Sequence, residues 1–177
     1  MKSSFFALLI AASAMFTFAG EECPPHPWCE TANLRTWCEY EYPSISGVSI
    51  GTSLIVAKKV LGNPAIESTP RYSDTFGVTV IDLEYEGLVL EAIRYDGEEL
   101  FTVTRIDSSS SKWIFSQGPT VGNLKKQVLK VLGQPDRISA NGETEILTFY
   151  LCPNDVRTLV SVKNGIVTGV LMWFDWV

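Results

Sequence analysis

The chain has 177 residues, 46% of them hydrophobic, and a formal net charge of −6. That length suffices for one ordinary core or two small ones packed together. The acidic balance excludes non-specific nucleic-acid binding, which needs a basic patch to neutralise phosphates. It permits a basic protein partner, although a solvated acidic surface is the commoner source of such a charge.

At the N-terminus, Lys2 precedes an apolar run from Phe5 to Phe18 that is short for a bilayer span and ends in small residues. This is the pattern of an export leader. Thr17 and Ala19 fit the −3 and −1 positions for cleavage before Gly20, which makes 1–19 the signal peptide. Gly20-Glu21-Glu22 before Cys23 is unlike a lipobox, so no membrane anchor is expected. The destination is the periplasm or the outside of a bacterial cell.

Residues 20–41 form a Cys- and Pro-containing arm whose Trp28, Trp37 and Tyr40 are expected to cover the edge of the core. All four cysteines, Cys23, Cys29, Cys38 and Cys152, lie beyond the leader. An even count in an exported chain reads as two disulfides. Any full pairing then ties the arm to the strand near Cys152, and closing so long a loop is worth about 4 kcal/mol in the chain-entropy model. The rival is a metal site around His26. The spacing fits no standard zinc module, and Pro24, Pro25 and Pro27 stiffen the segment against wrapping an ion. No metal or cofactor is expected.

The remainder is organised by an internal duplication. Gly51-Thr-Ser-Leu-Ile-Val-Ala-Lys-Lys-Val-Leu-Gly-Asn-Pro64 returns as Gly122-Asn-Leu-Lys-Lys-Gln-Val-Leu-Lys-Val-Leu-Gly-Gln-Pro135, six of the fourteen positions being identical. Gly47 and Gly118 share the register, as do Ile50 and Val121, and such self-similarity sets architecture first. Each copy predicts a short helix, at about Ser53–Leu61 and Asn123–Leu132. Leu124, Val128, Val131 and Leu132 form the apolar face of the second, and Ala57, Val60 and Leu61 that of the first. Thr52 and Asn123 are the expected N-caps. Gly62 and Gly133 suit a left-handed C-terminal position, and Pro64 and Pro135 forbid continuation.

After the first helix a loop is expected through Pro70, then strands at about Phe76–Tyr85, Leu88–Tyr95 and Leu100–Ile106. Glu86-Gly87 and Asp96-Gly97 are their turns. Ser108–Ser111 reads as a link between copies. The second copy repeats the order, with Trp113–Phe115 leading into the helix and strands at Thr144–Cys152, Val156–Lys163 and Ile166–Trp173. Pro153-Asn154-Asp155 and Asn164-Gly165 turn them, and Asn-Gly between alternating apolar runs is a strong hairpin signal. The expected domains are repeat 1 (42–107), a linker (108–112) and repeat 2 (113–177). The expected fold class is α+β: a tandem duplication of a helix plus an antiparallel three- to four-stranded meander, helices on one face of the sheets.

This arrangement resembles the tandem-repeat fold of the β-lactamase inhibitory proteins and the related fold of the small outer-membrane-assembly lipoproteins of the SmpA/OmlA (BamE-like) type. The residues that carry the resemblance are Ile50-Gly51…Val60-Leu61-Gly62-Asn63-Pro64 and Val121-Gly122…Val131-Leu132-Gly133-Gln134-Pro135. Each is followed by strands of the form Leu83-Glu-Tyr85 or Phe149-Tyr-Leu151. The resemblance covers about residues 42–174 and implies enzyme inhibitors, envelope-assembly factors or immunity proteins against delivered toxins. The Cys-bearing arm and the missing lipobox depart from the assembly lipoproteins. No catalytic residues carry over.

Nor does the chain itself offer a catalytic constellation. Its single histidine, His26, sits in the Pro-rich arm, so a Ser–His–Asp or Cys–His site would have to be built there. Carboxylate pairs such as Glu84/Glu86 and Glu98/Glu99 read as solvated turns and strand ends. Aromatics are the better functional signal. In Phe149-Tyr150 and Trp173-Phe174 adjacent rings must point to opposite faces, and Phe149 and Phe174 are the more apolar members. Tyr150 and Trp173 are therefore the expected partner-binding residues, with Trp113 and Tyr95 extending the patch and Glu84 and Glu91 steering a basic partner. The leading expectation is an exported non-enzymatic protein-binding module, an inhibitor or immunity protein against an envelope-active hydrolase or delivered toxin. A BamE-like assembly factor, and a small-ligand-binding protein or hydrolase, are the alternatives. Intact mass before and after reduction is expected to rise by two hydrogens for each of two bonds, with no stoichiometric zinc; free thiols in the native protein would contradict the pairing.

Overall fold

The computed structural model describes residues 42–151 and 156–174. The expected leader, the arm with Cys23, His26, Cys29 and Cys38, the segment Cys152–Asp155 and Trp176 lie outside those residues, and with them the expected cysteine pairing. The described chain runs through α1 (Leu54–Leu61), β1 (Ile66–Glu67), β2 (Arg71–Ser73), β3 (Val78–Tyr85), β4 (Leu88–Tyr95) and β5 (Thr102–Ser108). It continues through α2 (Lys125–Leu132), β6 (Arg137–Asn141), β7 (Thr144–Leu151), β8 (Val156–Lys163) and β9 (Ile166–Phe174).

The expected α+β class with tandem meanders and helices on one face is corrected by the strand order. The nine strands form one antiparallel sheet, β1-β3-β4-β5-β9-β8-β7-β6, with β2 also on β3. The chain is therefore largely β. Its two helices have eight residues each, and they bury only Leu54 and Ala57 in one and Val128 in the other. Elements so short make no helical layer; the sheet supplies most of the core. What merges the strands is the pairing of β5 with β9, Ile106 opposite Met172 and Ser108 opposite Val170, all four residues being buried. Ser108, expected in the link, is thus the last residue of a central strand.

The duplicated motif is explained by hydrogen bonds. Gly51 N–H donates to Val103 O and Gly122 N–H to Val167 O, both at 2.8 Å, while the N–H groups of Val103 and Val167 return to Thr52 O and Asn123 O. Each copy thereby clips its helix entrance to a strand that follows it. Thr52 and Asn123 are not the helix caps. Their side-chain oxygens accept from Ser49 N and Thr120 N, each at 2.9 Å, and close the turn before the helix. The N-caps lie one residue later: Ser53 Oγ accepts from Val56 N at 3.4 Å, and at Leu124 the Gln127 side chain accepts from the Leu124 N–H at 2.7 Å. Val60, Val131 and Leu124, expected in the core, are 46%, 44% and 42% exposed. The helices rest on Leu54, Ala57 and Val128 instead, with Leu61, Leu129 and Leu132 partly buried against the same core.

Gly62 and Gly133 end the helices at φ 84°, ψ −168° and φ 82°, ψ −155°. The expected positive φ is present, but with extended ψ, in a region that is essentially glycine-only. After Pro64 and Pro135 the chain enters edge strands rather than loops, Ala65 N donating to Glu84 O and Asp136 N to Thr148 O. The expected loop through Pro70 therefore contains β1, β2 follows directly after it, and β6 is an edge strand with no sequence-based expectation behind it. Their exposed residues carry too little alternation to announce a strand: Ile66 and Glu67 are both exposed, and four of the five β6 residues are.

Two β-bulges recur at related places. Register shifts between Glu91 and Ala92 on β4, leaving Thr104 extra on β5, and between Ser161 and Val162 on β8, leaving Thr168 extra on β9. In each case the threonine hydroxyl donates to the carbonyl across the bulge, Glu91 O at 3.5 Å and Ser161 O at 3.3 Å. Bulges bend a strand and increase its twist, and here the first breaks the alternation of β5, where Val103 and Thr104 are both buried.

A Cβ at Gly62 or Gly133 would meet nothing within 4 Å, so any cost of substitution is backbone strain. Gly133→Val is expected to destabilise by more than about 1 kcal/mol, read as a lower urea midpoint; an unchanged midpoint would mean that the dihedral does not constrain the residue.

Candidate partner-binding surface

One side of the sheet carries the core: Leu83, Leu90, Ile106, Met172 and Phe149 are all buried there. Alternation sends their neighbours to the outer face. Cross-strand register lines six of these into a single row, Tyr150 opposite Arg157, Arg157 opposite Trp173, Trp173 opposite Arg105, Arg105 opposite Glu91 and Glu91 opposite Asp82. The next row down is Thr148, Leu159, Leu171, Asp107, Val89 and Glu84, paired in the same way. Because β5 joins β9, neither row is interrupted between the two halves of the chain.

The row is aromatic and cationic at one end. The Arg157 guanidinium lies 5.1 Å from the Tyr150 ring centre and 6.0 Å from that of Trp173, within cation–π range of both. Tyr150 is 42% exposed, and its backbone is held by Asp136, whose carboxylate accepts from Tyr150 N at 2.8 Å. Asp136 itself follows the Pro135 turn, so the helix stop positions the aromatic residue. The row turns acidic toward β3. Arg105 pairs with Asp107 at 3.2 Å and Arg71 with Asp82 at 2.7 Å. Burial pushes the Glu91 carboxyl pKa upward and neighbouring Asp82 adds to the rise, while Arg105 and Arg71 oppose it.

The expected binding residues fall into three groups. Tyr150, Trp173 and Glu91 share the row described. Glu84 lies on the same outer face, one row below, and Tyr95 also lies there, opposite Val78 toward the far end of β4. Trp113 is elsewhere. Its ring packs edge-on to Tyr85 with centres 6.0 Å apart, its Nε1–H donates to Glu86 O at 2.8 Å, and it rests against the core. It therefore does not extend the patch of Tyr150 and Trp173. Of the adjacent pairs, Phe149 is buried in the core and Phe174 packs partly buried against it. The arginines of the row had no place in the sequence expectation. Arg105 flanks buried Ile106 and Arg157 flanks buried Val156, so period-two alternation applied to charged residues would have put both on the aromatic face.

Among the described residues no three His, Cys, Asp or Glu side chains converge as a metal site, and no helix is long and apolar enough to cross a membrane.

No family model and no curated protein matches the chain. Solved structures similar to it include a cysteine-rich secretory protein from Staphylococcus aureus, 11% identical at a TM-score of 0.47, with 76% of this chain and 49% of that one covered. An extracellular protein containing an SCP domain from Bacillus anthracis is 10% identical at a TM-score of 0.47, with 82% and 49% covered. The chain thus spans about half the length of these two. A third, described as a "putative beta-lactamase inhibitor protein" from Streptococcus mutans, is 16% identical at a TM-score of 0.30, with 73% and 90% covered. At these TM-scores none of the three carries an argument about activity.

The Glu91 carboxyl makes a pH signature. A carboxyl whose pKa is higher in the folded than in the unfolded chain binds its proton more tightly when folded, so its effect on stability declines as pH rises from the ordinary 4.5 through the raised value. Glu91→Gln is expected to match the wild type in urea midpoint at about pH 4 and to equal or exceed it at about pH 7. A variant less stable than wild type only at the higher pH would show that ionised Glu91 stabilises the fold.

Proposed function

We propose that the chain is an exported, non-enzymatic protein that binds another protein through the outer face of its sheet and inhibits it, the target being an envelope-active hydrolase or a delivered toxin. The observation that carries this reading is the continuous row Tyr150–Arg157–Trp173–Arg105 across the join between β5 and β9. Tyrosine, tryptophan and arginine are the residues most enriched at interface hot spots. Tyrosine and tryptophan have only two χ angles each to immobilise, so they bring large contact area at low entropic cost. Tyr150 on β7 and Trp173 on β9 flank Arg157 on β8 in one sheet, which pre-organises the patch and reduces what association must order. The acidic end, with Glu84, Glu91 and Asp82, suits a partner that is basic at the corresponding edge. The export leader puts the encounter in the periplasm or outside the cell.

Capture from periplasm and culture supernatant on immobilised mature protein tests the reading, with identification of the captured protein and assay of its activity in the presence of the inhibitor. Tyr150→Ala and Trp173→Ala are expected to weaken capture by about 2 kcal/mol, roughly thirtyfold, while the urea midpoint changes little for exposed Tyr150. Capture that falls only in proportion to the folded fraction would make these residues structural. Recovery of the outer-membrane assembly machinery alone would replace inhibition with envelope assembly.

A further inference from the structure

The acidic end of the outer face contains a groove, of about 660 Å³, between β2 and the adjoining ends of β3 and β4. Its floor is apolar, from Val78, Val80 and Ile93, and it is bordered by the rings of Phe76 and Tyr95. Both rings are presented to solvent, Phe76 being 63% and Tyr95 42% exposed. Tyr72, opposite Thr79, falls on the other face, where its hydroxyl donates to Asp96 at 2.8 Å.

Two charged residues line the groove, and they are not equivalent. Arg71 is already engaged by Asp82 at 2.7 Å. The Glu91 carboxylate accepts no hydrogen bond and makes no ion pair among the described residues, although it is half-buried and stands opposite Asp82 in the register. A carboxylate withdrawn from water and flanked by a second one is stabilised by an incoming cation. Its raised pKa reflects the same withdrawal.

Resting on the protein-binding reading above, we propose that this groove receives one cationic side chain, a lysine or arginine, projected by the partner protein. An anionic group would meet Glu91, while Arg71 is already neutralised by Asp82. An apolar one would complete the desolvation of Glu91 without pairing it, which is costly. A lysine or arginine resolves both: its methylene stem lies along Val80 and Ile93, its charge meets Glu91, and the faces of Phe76 and Tyr95 supply cation–π attraction. The aromatic row at Tyr150 and Trp173 supplies contact area, and the groove supplies charge selection at the other end of the same face.

The probes are capped single residues, N-acetyl-lysine and N-acetyl-arginine methylamides, with the norleucine and glutamate counterparts and tetramethylammonium, titrated into nitrogen-15-labelled mature protein. The two cationic residues are expected to shift the amide signals of Val80, Glu91 and Ile93, whereas norleucine and glutamate leave them in place. Glu91→Gln and, independently, Phe76→Ala at the exposed wall are expected to weaken this binding about fivefold or more, and Tyr150→Ala is expected to leave it unchanged. Equal shifts with norleucine, no shifts with lysine or arginine, or full binding by both groove variants would overturn the proposal. Saturation by tetramethylammonium alone would overturn it in favour of a small-ligand site. If the groove titrates but Tyr150→Ala and Trp173→Ala leave capture intact, the protein-binding reading of the aromatic row fails alone; if capture depends on those residues but the groove does not titrate, the groove proposal fails alone.

Discussion

The pairing of β5 with β9 is the constraint on which the rest depends. Only four residue pairs make it, yet it joins two sets of strands that would otherwise each expose an unpaired edge, an arrangement that invites aggregation. Burial drives it. Ile106 and Met172 are wholly inaccessible, and full burial of side chains of that size is worth about 1.5–3 kcal/mol each. The ion pairs that tie the helices to the sheet, Lys58–Glu67 and Lys125–Glu145 at 2.7 Å, are about one-third or more exposed and worth about 1 kcal/mol or less each. Apolar contact across the sheet, not surface charge, therefore decides the architecture.

The same pairing creates the outer face proposed for binding. Arg105 meets Trp173 only because Ile106 meets Met172 one residue along. A slip of one residue would turn the aromatic and charged row inward and the core outward, so the register that buries the core also aligns the surface. The two threonine bulges act within this frame. They absorb an extra residue on β5 and on β9 at corresponding places, and the first lies directly beside Glu91, the carboxylate at the end of the groove.

Repetition in the sequence therefore has a specific physical content. The shared Gly51 and Gly122, Gly62 and Gly133, and Pro64 and Pro135 do not build helices that dominate the fold. They clip each short helix to a strand and then steer the chain into a sheet edge, through the paired contacts of Val103 with Thr52 and of Val167 with Asn123. The two halves share that scaffold but not their surfaces. One carries Tyr150, Arg157 and Trp173, the other Glu91, Asp82 and the groove, so the outer face is polarised along its length.

The sequence by itself determined the local features. β4 and β8 occupy the residues read from alternation, Asn164 and Gly165 take the positive φ values of 52° and 76° that their turn requires, and both helices stop at the glycine of Gly-x-Pro. These are decided within a few residues by steric and hydrogen-bonding preferences of the backbone. Tertiary structure alone decided that the strands join as one sheet, that Ile66–Glu67, Arg71–Ser73 and Arg137–Asn141 are edge strands, that Trp113 lies away from the row of Tyr150 and Trp173, and that Glu91 stands between Asp82 and Arg105. Each of those depends on which strand lies beside which and in what register. That information resides in contacts between residues far apart in the chain, settled by the burial of the whole core rather than by any local pattern.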